Sequence, residues 1–105
     1  MPRLESNGGS YEVHCSAAII QKLRDIQQQA SEEGRGEAVL AAIRQILTKL
    51  QHNPLEFGEV LYRLPALRMH VCHGAIRPLF IDFAVCEDHP LVFIKGATLL
   101  DKPDS

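Results

Sequence analysis

Ile19, Leu23, Ile26 and Ala30 fall four, three and four residues apart, and Val39, Ile43, Ile46 and Leu50 repeat the same steps. Each set draws one apolar stripe along a helix of 3.6 residues per turn. Two such stripes in succession predict a pair of packed antiparallel helices. Beyond Pro54 the apolar period changes to two and stays there almost to the end, the spacing of strands with one buried face. This order predicts an α+β domain in which a helical hairpin packs on a small antiparallel sheet.

Local signals set the boundaries. Residues 11–15 alternate apolar and polar side chains and suit a short first strand; Ser16 stands where a helix N-cap is wanted. The first helix runs to about Glu32 or Glu33, where Gly34 ends it in a left-handed conformation. The second spans roughly residues 37–52 and stops before Pro54, which disfavours helical geometry at Asn53. Residues 55–59 are expected as a loop turning at Gly58, followed by strands at 60–64, 67–73, 79–85 and 91–96. The nearly continuous apolar run 79–85, broken by Asp82, marks the central strand, and Tyr62 is expected to be a buried hydrophobe.

A chain of 105 residues with 46% apolar content is enough for one domain with its own core. Residues 1–10 read as a mobile lead-in, 11–100 as the domain and 101–105 as a polar tail. No apolar run approaches the roughly 20 residues of a membrane span. The first ten residues lack the apolar stretch of a secretory signal, so a cytoplasmic protein is expected. Cys15, Cys72 and Cys86 are odd in number and show no CxxC spacing, which fits reduced thiols. The net charge of −2 argues against a domain devoted to gripping nucleic acid while leaving room for a local basic cleft.

Strand register gives the candidate site. A three-residue loop at Gly74, Ala75 and Ile76 sets Leu67, Met69 and Val71 against Phe83, Ile81 and Leu79, and Arg68 against Asp82. Placing Val92 and Ile94 opposite Val85 and Phe83 sets Lys95 against Asp82. The expectation is a row Arg68–Asp82–Lys95 on the sheet face away from the helices. Its plain reading is a solvated charge ladder. Its functional reading is a shallow cleft where Arg68, Arg77, Lys95 and Arg63 meet a phosphate or an acidic partner. His70, Cys72 and Cys86 raise a metal or thiol site, but His70 and Cys72 supply only two locally convincing ligands where structural zinc takes four. No metal and no cofactor is expected. A Cys72–His70 nucleophilic pair lacks an orienting third group, and Glu32, Glu33 and Glu37 read as solubilising charge.

The segments LQHNPLEFGE (50–59), LYRLPALRMHV (61–71), AIRPLFIDFAV (75–85) and PLVFIKGATLL (90–100) resemble the RelE/ParE toxin superfamily, including its HigB-like branch. The resemblance covers about residues 11–100. It implies the toxin component of a toxin–antitoxin module, with a cognate antitoxin laid over the sheet and helices. In RelE-type members basic side chains on the sheet bind the phosphate of ribosome-bound mRNA and stabilise its developing charge. Carried over, Arg77 matches the arginine opening a strand, Arg68 a basic position on the preceding strand, and Lys95 the basic end of the last strand. The departures are that GATLLDKPDS, following Lys95, has no Tyr, His or Arg to act as acid or base, and that overall basic charge is missing. The resemblance therefore leans to ParE-like members, associated with gyrase, or to degraded nuclease activity. The alternative is a catalytically silent binding module on the same scaffold, as a homodimer meeting through the helical hairpin or an edge strand.

Overall fold

The computed structural model describes residues 11–100, so the lead-in and the tail lie outside the described residues. The elements in order are β1 (Glu12–Cys15), α1 (Ala17–Glu32), α2 (Gly36–His52), α3 (Pro54–Phe57), β2 (Glu59–Leu64), β3 (Met69–Ile76), β4 (Leu79–Cys86) and β5 (Leu91–Leu99). Helices and a five-stranded sheet make this an α+β fold. No helix among the described residues is long and apolar enough to cross a membrane.

The helical hairpin follows its sequence signals. The Ser16 hydroxyl accepts the Ile19 N–H at 3.2 Å, capping α1. Gly34 takes φ +80° in the turn, a conformation that costs glycine little. Arg35 then secures the hairpin: its guanidinium donates to the Glu33 carboxylate at 2.6 Å and to the Leu100 carbonyl at 2.8 Å. From the two stripes Ile26, Ala30, Val39, Ile46 and Leu50 are buried, joined by Ala42, while Ile19, Leu23 and Ile43 pack beside them. These residues meet Cys72, Leu79, Ile81, Phe83, Val85, Val92, Ile94 and Ala97 of the sheet in one continuous core.

The sheet order is β1-β5-β4-β3-β2. β1 runs parallel to β5 and every other pair is antiparallel, so the sheet is mixed rather than antiparallel. The reason is topological: β1 and β5 are the first and last strands, and the long connection a parallel pair demands runs through all three helices and the β2–β3–β4 meander. β4 is the central strand, as its apolar run implied. β5 continues to Leu99, and residues 54–57 form one helical turn where a loop was expected.

The β3–β4 register departs from expectation. The connection is not Gly74-Ala75-Ile76 but Arg77-Pro78, joined by a cis peptide bond. Pro78 lacks the N–H that a ladder position uses and suits the turn. Gly74 stays inside β3 because Phe57 sits on it: a Cβ at Gly74 would lie 2.7 Å from the Phe57 ring. Gly58 bends the chain between α3 and β2, as expected, with an extended backbone, and a Cβ there would stand 2.6 Å from both the His73 carbonyl and the Phe83 ring. Met69 now faces Cys86, Cys72 faces Phe83 and His73 faces Asp82. The slip is an odd number of residues, so every β3 side chain changes face. Cys72 enters the core, while Met69 and Val71 point away from the helices and Leu67 lies exposed in the β2–β3 turn. The β4–β5 pairing of Val92 with Val85 and Ile94 with Phe83 is as expected.

Candidate functional site

The sheet face opposite the helices carries two cross-strand rows. One runs Tyr62–Val71–Ala84–Phe93–His14. Val71 and Ala84 are 4% and 3% exposed, although no helix covers that face; they lie between the larger flanking rings, and the His14 and Phe93 rings are 5.4 Å apart. The second row runs Glu59–His73–Asp82–Gly96. His73 Nε2 is 3.0 Å from Glu59 Oε1, and its ring meets the edge of Phe80 at 5.1 Å.

This second row replaces the expected Arg68–Asp82–Lys95 row. Arg68 lies in the β2–β3 turn at φ +54° and reaches Asp88 at 3.4 Å. Lys95 is the extra residue of a bulge between Ile94 and Gly96, so it has no partner strand residue. Arg77 sits in the β3–β4 turn, exposed. Arg68 and Arg77 are thus separated by the whole of β3, about 26 Å at 3.3 Å per residue. Arg68, Arg77 and Lys95 do not converge on one phosphate.

Arg63 belongs to a different group. It pairs with the Glu87 carboxylate through Nε and, at 2.9 Å, through Nη2. His70 Nε2 stands 3.3 Å from the same carboxylate, and His70 Nδ1 is buried without a hydrogen-bond partner. The hydrogen bond from Arg63, with the charges of Arg63, His70 and Arg68, holds Glu87 below the usual carboxylate range against the effect of desolvation. Glu87 reciprocally raises the Arg63 guanidinium. This group clasps the C-terminal end of β2 to the end of β4. Both oxygens of the carboxylate are occupied by Arg63, so the carboxylate is a poor proton acceptor in this state.

The cysteines do not assemble. Cys72 is in the core, Cys86 is on the other sheet face, and all three thiols are free. Burial raises the Cys15, Cys72 and Cys86 thiols, with Asp88 adding to the effect at Cys86. No group of three His, Cys, Asp or Glu side chains among the described residues is arranged to hold a metal ion.

The most prominent surface feature lies along the β2 edge. Of the eight large hydrophobic residues exposed among the described residues, five fall between positions 55 and 67: Leu55, Val60, Leu61, Tyr62 and Leu67. Tyr62, expected in the core, is 54% exposed. Val60 pairs with Cys72 and Tyr62 with Val71, leaving Leu61 as a bulge; the bulge breaks the in–out alternation and leaves three consecutive apolar residues open to solvent. β2 ends the sheet, so its outer N–H and C=O groups have no ladder partner. The sequence signal was present in Val60-Leu61-Tyr62, three apolar residues in a row where strict alternation would place a polar one. Comparison with protein families, with curated proteins and with solved structures yields no match.

Proposed function

We propose that this chain is a RelE/ParE-like protein-binding module rather than a working ribonuclease, and that its contact surface is the β2 edge. The observation that carries the reading is the run of three consecutive exposed apolar residues Val60, Leu61 and Tyr62 on an edge strand with unpaired main-chain groups, with Leu55 and Leu67 exposed in the segments that flank it. An extended segment of a partner gains main-chain hydrogen bonds there and covers the apolar side chains. In a toxin–antitoxin module that partner is the cognate antitoxin. The succession of strand, helical hairpin and antiparallel strands supports the family reading, and the scattering of Arg68, Arg77 and Lys95 supports a module without nuclease activity.

One observation favours an active toxin as second reading: Arg77 is exposed and makes no ion pair among the described residues, so it stays available to a phosphate. Tightly induced expression in a bacterial host separates the two. A binding module permits normal growth, and co-expression with a small neighbouring gene product yields a complex in which the amides of residues 59–64 exchange slowly. Growth arrest relieved by Arg77→Ala or Arg68→Ala contradicts the module and supports the toxin, with mRNA and DNA integrity then identifying the ribosome or gyrase as target.

A further inference from the structure

We infer that in the isolated chain the occupant of the β2 edge is the β2 edge of a second copy, paired antiparallel about a two-fold axis between Leu61 and Tyr62. The inference rests on the binding-module reading and names its partner. Continuous antiparallel sheets place residues of like face opposite one another. In β2, Val60 and Arg63 pair with Cys72 and His70 and so lie on the helix side. Glu59, Tyr62 and Leu64 pair with His73, Val71 and Met69 and lie on the open side. Without a bulge, a six-residue strand reversed on itself would oppose residues of unlike face. The extra residue at Leu61 corrects this: Glu59 meets the second copy's Leu64, Val60 meets its Arg63, and Leu61 meets its Tyr62.

The charges agree with that register. No like charges oppose one another, and the centre is wholly apolar. Sliding the pair until Tyr62 faces the second copy's Leu64 matches the faces again but sets Arg63 against Arg63. In the inferred register the Arg63 stem lies over Val60 of the other copy while its guanidinium remains on Glu87, so pairing strands no charge. A two-fold isologous contact of this kind closes on itself and does not propagate into fibres.

Sedimentation equilibrium over a concentration series tests the inference, with Leu61→Lys and Tyr62→Glu as variants at positions 47% and 54% exposed. The wild type is expected to form a dimer, and each variant alone to associate about tenfold more weakly or worse. Mixing the two variants sets the introduced lysine against the introduced glutamate and restores association; circular dichroism checks that both are folded. A failure of mixing overturns the register. A wild type that stays monomeric while a co-expressed partner shields residues 59–64 overturns the second copy and leaves the binding module standing. A dimer indifferent to both variants, with unchanged amide exchange at residues 59–64, overturns both.

Discussion

The two edges of this sheet are built differently. The β1 edge is four residues long, and its open-face side chains Glu12 and His14 are polar and bonded to each other at 3.0 Å. Its other face, Val13 and Cys15, packs into the core, and the Tyr11 N–H preceding it donates to the Gln51 carbonyl at 2.6 Å. The β2 edge is six residues long, bulged and apolar at its centre, and of the helices only the one-turn α3 makes a substantial contact with it. Short length, charge and helical cover are the devices by which sheets avoid unwanted pairing. β1 uses all three. β2 has a bulge and two charged residues, yet leaves Val60, Leu61 and Tyr62 exposed. The sheet is thus protected at one edge and open at the other, and the open edge is the one to which the proposed association is assigned.

The largest way to break this contrast is to remove what anchors β2. Phe83 is fully buried, stacks on Phe57 at 5.9 Å and bounds Gly58. Phe83→Ala is expected to cost about 3–5 kcal/mol in chemical denaturation, with amide exchange rising more in β2 than in β1. Gly58→Ala is next, at about 1–3 kcal/mol, because the added Cβ meets the His73 backbone carbonyl, which cannot turn aside. Gly74→Ala meets only the Phe57 ring and is expected to cost less, at about 1 kcal/mol.

Acid sharpens the comparison without substitution. Glu87 is held below an ordinary glutamate value of about 4.3, so its clasp on β2 is fully present above that pH and is lost as pH falls through the lowered value. Protection of the amides at the C-terminal end of β2, measured against the intrinsic exchange rate at each pH, is therefore expected to fall on acidification, and Glu87→Gln to abolish that pH dependence. The smallest effect on folding is expected at the edge itself. Leu61→Lys should change stability by no more than about 0.5 kcal/mol in thermal melts, while it alters association.

Much of the fold was legible because local and periodic signals agreed. The stripes from Ile19 to Ala30 and from Val39 to Leu50, the Ser16 cap and the Gly34 turn all act within a few residues and hold in the structure. The β4–β5 register was legible because Val92 and Ile94 leave little choice of face. The β3 register was not. Gly74 looks like a turn residue in sequence, and only the ring of Phe57, seventeen positions earlier, explains its place inside a strand. The same slip took Arg68 away from Asp82 and hid the Glu59–His73–Asp82 row, while the bulge that skips Lys95 in β5 set Gly96 against Asp82 instead. The parallel β1–β5 pair was hidden for a related reason: nothing near Glu12–Cys15 in sequence indicates a partner some eighty residues away.

The most direct test of the contrast between the edges is hydrogen–deuterium exchange at low and high protein concentration, comparing residues 59–64 with Glu12–Cys15. The expected result is protection of the β2 amides that grows with concentration while β1 stays constant. Concentration-independent exchange at both edges would contradict the account, leaving β2 exposed but unpaired.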